Sequence, residues 1–207
     1  MKTETKPWDA PASAVSLEEV AAKLRERNIE AVVVAGAAEA REAVMSRLPA
    51  GAEVHAGKSK TLLDIGVTPL IAADGAYTYL RNIYLKMDRA TQMREIRKLI
   101  AAPDFMLGSV SAVTQDGILV AASATASQLG AYASGGGKLI LVVGSQKVVP
   151  DLDAALKRIR EYILPWEDAQ VRAVVPTGSF VGKILLIERE WVAGRIVVIL
   201  VKEPVGI

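Results

Sequence analysis

Small polar residues follow a short apolar segment at Gly57 to Thr61 (GKSKT), where they could bind an anion. A glycine turn that leads into a helix presents free backbone N–H groups, and these favour negative charge. The segment lacks the earlier glycine that the phosphate-binding P-loop requires. Two interpretations stay open: Gly57, Ser59 and Thr61 bind a ligand, or the segment begins a capped helix whose lysines face water.

A second polar segment, Gly108 to Ser111 (GSVS), lies inside a run of apolar residues that predicts a strand. Glycine weakens a strand interior, and it often marks the close approach of a ligand or of another backbone. The two-residue period of a strand predicts that Ser109 and Ser111 share one face. We weigh ligand binding by Gly108 and Ser109 against a bulge whose hydroxyls are internally hydrogen-bonded.

Two further clusters also follow apolar segments. Asp-Gly at Asp116 is typical of a hairpin turn, although its carboxylate could serve a neighbouring site. Ser127 and Gln128 form one polar cluster, and Gly144 opens another that includes Lys147. Lys147 could contact an anionic ligand as a point charge, or it could be an exposed lysine at a strand end.

Acid–base candidates are few. Asp64 follows the glycine turn on a short helix and could face either the site or water. His55, the only histidine, could act as a general base near neutral pH, but the sequence gives it no partner, so a structural role is the simpler interpretation. We find no nucleophile elbow, dinucleotide fingerprint or triad. The residues alone therefore predict an anion-binding site at strand ends, and no specific reaction.

Hydrophobic periodicity predicts alternating helices and strands. Helices are expected at 16–27, 37–48, 88–100, 127–133 and 151–163, and strands at 30–36, 52–55, 105–113, 118–121, 138–143, 184–187 and 196–201. Ser16 and Glu19 predict a capping box for the first helix, and Pro165 is expected to end the last. We interpret 1–15 as a loose lead-in and 16–207 as one α/β domain, with a mixed sheet covered by helices on both faces.

Composition narrows the function classes. The 207 residues include 25 Lys plus Arg and 23 Asp plus Glu, which gives a net charge of +2 without a basic patch, so no nucleic-acid partner is expected. The chain has no cysteine, which excludes disulfides and thiolate or iron–sulfur ligation and fits a cytoplasmic location. A single histidine excludes a multi-histidine metal site, and no metal is expected.

Hydropathy adds two expectations. Apolar runs are short compared with the about 20 residues of a membrane span, so none is predicted, and residues 1–9 lack the apolar core of a signal peptide. The mean hydropathy of +0.28 is high for a monomer with a polar surface. We therefore expect a homo-oligomer, a homodimer formed through an apolar patch.

The motifs resemble those of a known family. Gly57 to Gly66 (GKSKTLLDIG) is similar to the Gly-x-Ser-x-Thr-Leu-x-Glu-Ile-Gly segment of the lactate-utilisation (LUD) domain family. Gly108 to Gly117 resembles the family's second block, Leu139 to Val149 its third, and Gly194 to Val201 the end of one branch. Because the blocks occur in order from about Ser16 onward, the chain is identified as a member of this family.

The resemblance carries expectations about fold and function. It implies the fold shared by ribose-5-phosphate isomerase, glucosamine-6-phosphate deaminase and CoA-transferases, with ligands at strand ends. Some members belong to an iron–sulfur system that converts L-lactate to pyruvate. The resemblance therefore implies an accessory or ligand-binding subunit of such an oxidoreductase, with no cofactor of its own and any iron–sulfur cluster on a partner subunit.

Two alternatives remain beside that expectation. The chain could be a stand-alone enzyme that acts on a phosphorylated or CoA-linked small metabolite. Ser59, Ser109, Gln128 and Lys147 would then bind the anion, and Asp64 or Asp116 would act as acid or base. It could also be a degenerate member with a role in oligomerisation or scaffolding.

Three departures from the family pattern bear on these alternatives. Asp64 stands where the first block usually has glutamate, and Ser127-Gln128 stands where the family usually has Asn-Arg. Cysteines that one branch carries near Val175 to Gly182 are absent here. Consequently this chain cannot ligate a cluster, and its recognition of an anion is expected to differ from that of its relatives.

Overall fold

The computed structural model describes residues 8–73 and 75–207. Its strands are β1 (Glu30–Val34), β2 (Glu53–Ala56), β3 (Thr78–Tyr79), β4 (Phe105–Gly108), β5 (Ala112–Thr114), β6 (Leu119–Ser123), β7 (Lys138–Gly144), β8 (Val148–Val149), β9 (Lys183–Ile187) and β10 (Ile196–Val201). Its α-helices are α1 (Ala14–Glu26), α2 (Ala37–Met45), α3 (Lys60–Asp64), α4 (Val67–Ala72), α5 (Leu80–Tyr84), α6 (Met93–Ala101), α7 (Leu152–Arg158) and α8 (Leu164–Arg172). None of these helices is long and apolar enough to cross a membrane.

A parallel sheet with the strand order β1-β10-β7-β4-β2-β3 forms the centre of the fold. Its central strands are continuous apolar runs, as expected for strands buried on both faces. In β7, Leu139 and Leu141 pack in the cluster that contains α1, whereas Ile140 and Val142 pack in the cluster that contains α2 and α4. Helices therefore cover both faces, which confirms the predicted α/β class.

A second sheet, with the order β8-β5-β6-β9, contains the predicted hairpin. Strands β5 and β6 pair antiparallel, and Gly117 completes their turn with φ +91°. The hairpin thus lies beside the parallel sheet and not within it. The segment 188–195 connects β9 in this sheet to β10 in the other.

The single strand predicted at 105–113 is wrong, because the chain divides there into β4 and β5. The Tyr132 hydroxyl accepts a hydrogen bond from Ser109 N (3.2 Å) and donates one to Ser109 O (3.1 Å), so it occupies both backbone groups that would extend the strand. A Cβ on Gly108 would lie 1.7 Å from this hydroxyl oxygen. Ser109 and Ser111 therefore lie in a link between two sheets and share no strand face.

Pro165 does not end the helix that begins after Asp151, which corrects the second boundary. A π-helical turn at Ile159–Ile163 follows α7, and Pro165 then lies in the first turn of α8. A proline is tolerated there because the N–H groups of a first turn need no helical acceptor. The helical segment consequently runs to Arg172 and brings Trp166 over the ends of the strands.

The first helix also begins earlier than predicted. Ser13 is the N-cap of α1, and its hydroxyl accepts a hydrogen bond from Ser16 N, so Ser16 lies inside the helix. Of the predicted lead-in, residues 1–7 lie outside the described residues. Ala12 N donates to Ser145 O at 3.1 Å, which ties the segment before α1 to the end of the parallel sheet.

Candidate functional site

A cavity of about 870 Å³ opens at the carboxyl ends of β2, β4 and β7. Ligands of open α/β sheets bind at this edge. Of the predicted ligand-binding residues, the structure brings to its wall Gly57, Ser59, Thr61, Gly108, Ser109, Ser127, Gln128 and Lys147. Residues that are far apart in the sequence thus meet at one place.

Lys147 lies at the end of a short turn, Ser145–Lys147, that follows β7. The residue is only 2% exposed, although it lines the cavity. Its Nζ donates to Thr61 Oγ1 and to Ser109 Oγ, each at 2.9 Å. Ser109 Oγ in turn donates to Val142 O at 2.7 Å, so its lone pairs are left to accept from Lys147.

The environment of Lys147 disfavours a positive charge. Burial and, to a smaller extent, the positive charge of Arg158 lower the pKa of Lys147 to about 7, against the carboxylate of Asp64, which acts in the opposite direction. No carboxylate of the described residues forms an ion pair with Lys147. A buried cation without a counter-ion is costly unless a ligand supplies the charge or the amine releases its proton.

Helix α3 shows how the Gly57 to Thr61 segment is used. Ser59 is its N-cap, and the Ser59 hydroxyl accepts a hydrogen bond from Leu62 N at 3.3 Å. Thr61 is 2% exposed and turns its hydroxyl toward Lys147. Because Ser59 caps this helix of only five residues, the structure supports the capping interpretation of Ser59. Thr61, in contrast, contributes a polar atom to the cavity.

The two predicted acid–base carboxylates lie elsewhere. Asp64 is not on the cavity wall; it accepts from Lys60 Nζ at 2.7 Å and from Gly206 N at 3.0 Å. Asp116 lies in the hairpin turn, where it pairs with Arg27 at 3.0 Å and has a half-exposed side chain. The structure therefore brings neither carboxylate into the cavity, although Asp64 is close enough to influence Lys147.

Gly144 also lies off the cavity wall. A Cβ there would lie 2.6 Å from both Val205 N and Val205 O, and 2.3 Å from Gln146 Oε1. Gln146 Nε2 donates to Val205 O at 3.0 Å. Gly144 therefore allows the segment after β10 to pack against the end of β7.

One side of the cavity is apolar, which the sequence patterns did not predict. We call it the apolar wall; it consists of Ile163, Trp166, Val171, Val175 and Phe180. Phe180 is 63% exposed, so much of its ring is open to the cavity and to water. The sequence did not predict this wall because Pro165 was expected to end the helix, and Trp166 follows that proline directly.

The sequence also gave no sign of the segment after β10 at the cavity. Ile207 lines it, and a Cβ on Gly206 would lie 2.0 Å from Thr61 Oγ1 and 3.1 Å from Lys147 Nζ. The backbone at Gly206 thus covers one side of the Lys147 side chain. Only the return of the chain after β10 creates this contact, and no local pattern indicates it.

His55 lies in β2 and is 2% exposed, away from the cavity wall. Neither of its ring nitrogens has a hydrogen-bond partner within the described ranges. Burial, with a smaller contribution from the charge of Arg81, lowers the pKa of His55 to about 4. The imidazole is therefore neutral at physiological pH and packs edge-on against Tyr84, with ring centroids 5.7 Å apart.

No group of three or more His, Asp or Glu side chains in residues 8–73 and 75–207 is arranged to hold a metal ion. The polar side chains of the cavity carry hydroxyls, amides, three lysine amines and the carboxylate of Glu167. Such groups recognise anions and hydrogen-bonding ligands, so the site is chemically suited to a small polar molecule.

Comparison with known proteins agrees with this architecture. A crystal structure of a DUF162 family protein from Deinococcus radiodurans is similar over 92% of this chain and 99% of that chain, with a TM-score of 0.54 and 15% sequence identity, which supports the fold alone. A comparison with curated proteins finds no match. The family model of the LUD domain matches residues 17–201. The chain therefore belongs to the LUD domain family.

Proposed function

We propose that this LUD-domain chain binds a small anionic metabolite in the cavity, as the ligand-binding subunit of a lactate-utilisation-type oxidoreductase system in the cytoplasm. The observation that carries the proposal is Lys147, a buried amine on the cavity wall that contacts two hydroxyls and forms no ion pair within the described residues. The name of the LUD domain family supports an association with lactate utilisation.

Charge around the cavity supports an anionic ligand. The charged side chains on its wall are Lys58, Lys60, Lys147 and Glu167. Lys60 is paired with Asp64, whereas Lys58 is exposed and forms no ion pair in the described part of the chain. A carboxylate beside Lys147 would favour the charged form and raise the pKa of that lysine. Ligand binding would then be coupled to proton uptake.

Redox chemistry by an iron–sulfur cluster does not fit the residues of this chain. Cysteine thiolates are the usual ligands of such clusters, and the sequence has none. Its single histidine is buried in β2 away from the cavity. Any cluster of the proposed system would therefore belong to a partner subunit.

A second function, a stand-alone enzyme that acts on a phosphorylated or CoA-linked metabolite, is favoured by the size of the cavity. Its volume of about 870 Å³ and its apolar wall suit a ligand larger than lactate. Ser59, Ser109, Gln128 and Lys147, which the sequence predicts to bind the anion, all lie on the cavity wall. In this case the apolar wall would contact the non-polar part of the ligand.

A thermal-shift screen tests the proposal. The panel contains lactate, pyruvate, sugar phosphates and CoA esters. A ligand at about 100 times its dissociation constant adds about 2.7 kcal/mol of stability, and each kcal/mol raises Tm by roughly 2–4 °C for a chain of this size. We expect lactate or pyruvate to raise Tm in the unmodified protein and not in Lys147→Met.

Lys138→Met is the matched control, because Lys138 is exposed at the start of β7, the strand that leads into the turn containing Lys147. It should retain the shift. Shifts confined to sugar phosphates or CoA esters would favour the second function, and no shift with any compound would contradict ligand binding by this chain.

A homodimer remains our proposal for the assembly. Trp191 is 94% exposed and Val192 is 54% exposed, next to each other in the 188–195 connection. Burial of these side chains against a second copy would remove apolar surface from water. Light scattering should give a mass of twice 22.0 kDa, and Trp191→Ser should shift it toward 22.0 kDa. A monomer mass for the unmodified protein would contradict the proposal.

A further inference from the structure

We infer that Lys147 forms an imine with the carbonyl group of an anionic metabolite, a 2-oxo acid or a phosphorylated aldehyde or ketone, bound in the cavity. The inference rests on the proposed function and deepens it, because it assigns a covalent role to one residue of that site. It also narrows the ligand class from anions in general to anions that carry a carbonyl.

The placement of the amine carries the inference. Lys147 is buried at the wall of a cavity large enough for a metabolite, and its Nζ lies 2.9 Å from two hydroxyl oxygens that belong to separate elements. The Ser109 hydroxyl is itself fixed by Val142 O. The amine is therefore oriented by neutral groups and is not neutralised by a carboxylate that would hold its proton.

Its surroundings also favour the reactive form. An amine attacks a carbonyl only when it is unprotonated, and burial is one of the ways in which proteins produce such a lysine. The positive charge of Arg158 adds to burial in lowering the pKa of Lys147 to about 7, against the opposing carboxylate of Asp64. A large fraction of Lys147 is consequently neutral at physiological pH, whereas an exposed lysine is almost wholly charged.

The remaining wall charges suit the anionic part of the ligand. Lys58 is exposed at the cavity and free of ion pairs within the described residues, so it can attract a carboxylate or phosphate. Glu167 is the one carboxylate side chain on the described wall. In a ligand with an anionic group near Lys58 and a carbonyl near Lys147, Lys58 would attract the charge and Lys147 would form the imine.

The chemical step balances without an added oxidant or reductant. The Nζ lone pair forms a bond to the carbonyl carbon, and the carbonyl π-bond pair moves to oxygen, which takes one proton from nitrogen. The hydroxyl then leaves as water with the second N–H proton, and a C=N bond remains. Thr61 and Ser109 lie within hydrogen-bond distance of Nζ, so their hydroxyls are placed to relay these protons.

Reductive trapping tests the inference. The full chain is incubated separately with pyruvate, glyoxylate and pyridoxal 5′-phosphate at about pH 8, where an ordinary lysine is still almost wholly protonated. Borohydride then delivers hydride to the imine carbon, and peptide mapping locates the resulting secondary amine. Because the site is identified in the unmodified protein, the result does not depend on a variant that folds.

We expect modification of Lys147 several-fold faster than of the exposed lysines Lys138 and Lys157. Its rate should level off above about pH 7, following the pKa of that amine, while the rates of Lys138 and Lys157 continue to rise. Modification confined to exposed lysines with all three probes would overturn the inference.

The outcomes separate this inference from the proposed function. A rise in Tm with pyruvate, without trapping at Lys147, would keep the ligand-binding function and overturn the imine. No rise in Tm with any carbonyl or carboxylate compound, together with no trapping, would overturn both. Trapping at Lys147 in the unmodified protein, with no increase over background in Lys147→Met, would support the covalent role.

Discussion

Lys147 Nζ and Thr61 Oγ1 lie 2.9 Å apart although 86 positions separate the two residues in the sequence. Thr61 begins the buried face of α3, and Lys147 ends the turn after β7. Their hydrogen bond therefore joins two elements that the parallel sheet brings together at its carboxyl edge. Both residues are 2% exposed, so each loses water contacts that the other replaces.

Removal of either hydroxyl should destabilise the protein. Ser109→Ala or Thr61→Val takes away one of the two acceptors of Lys147 Nζ, and the loss of one partner from a buried hydrogen bond costs about 1–3 kcal/mol. Chemical denaturation would measure this loss in the free energy of unfolding. Ser46→Ala is the control, since Ser46 is the exposed C-cap of α2 and its hydroxyl donates to Ala43 O; its change should stay within about 0.5 kcal/mol. Equal effects at all three positions would contradict the role assigned to the two hydroxyls.

Stability should rise with pH between about 7 and 10.5 because of Lys147. Its pKa is about 7 in the folded protein and 10.5 in an exposed lysine, so the unfolded chain binds more protons across this window. The cost of burying the amine is full below pH 7 and disappears above 10.5. Each pKa unit corresponds to about 1.4 kcal/mol, so the rise would amount to a few kcal/mol.

Lys147→Met should remove this rise. Denaturation at a series of pH values should then show that the unmodified protein gains stability relative to the variant as the pH increases. Lys138→Met is again the control, and its pH profile should follow that of the unmodified protein. Parallel profiles for Lys147→Met and the unmodified protein would show that Lys147 titrates as an exposed lysine does.

Gly206→Ala should be more harmful than Gly194→Ala. Both glycines have positive φ, +80° and +73°, so alanine at either position costs roughly 1–2 kcal/mol in backbone energy. At Gly206 the new methyl would also lie 2.0 Å from Thr61 Oγ1, whereas at Gly194 it would have no atom of the described residues within 4 Å apart from its chain neighbours. We expect the greater loss of unfolding free energy, and weaker ligand-induced shifts in Tm, only at Gly206.

Similar losses at both glycines would mean that backbone strain alone decides the outcome. The segment after β10 would then be able to move aside, and its contact with Thr61 and Lys147 would not be needed for the site. Denaturation curves and the thermal-shift panel for the two variants measure both parts of this comparison.

His55 should titrate near pH 4. It is the only histidine, so its ring proton resonances are identified without assignment of the rest of the spectrum. Burial and the charge of Arg81 lower its pKa from 6.5 to about 4, and the unfolded chain therefore binds more protons between these values. Its contribution to stability is complete above pH 6.5 and is lost as the pH falls toward 4.

His55→Phe should abolish that part of the acid sensitivity while retaining the aromatic contact with Tyr84. It also removes two ring nitrogens that lack partners in the described structure, so the variant should be nearly as stable as the unmodified protein at pH 7. A ring titration near pH 6.5 would contradict the burial of this side chain.

The sequence by itself determined most of the elements. Continuous apolar runs rich in β-branched residues predict β1, β7 and β10, since such runs are typical of buried parallel strands; β7 and β10 are indeed buried, whereas β1 is a half-buried edge strand. Asp116-Gly117 specifies the hairpin, since its turn requires a positive φ at the glycine. The polar residues after apolar runs made Lys147 and Ser109 candidates for one anion site, but the alternatives of an exposed lysine and of a bulge stayed open.

Only the tertiary structure decided how those residues are used. Tyr132 interrupts a strand that periodicity predicts as continuous, and a π-helical turn carries the helix past Pro165. Burial turns Lys147 from an ordinary surface cation into an amine of low pKa, while Asp116 remains with Arg27 in a distant turn. Local patterns reflect contacts between residues a few positions apart, whereas desolvation, hydrogen-bond partners and charge depend on packing between segments tens of residues apart.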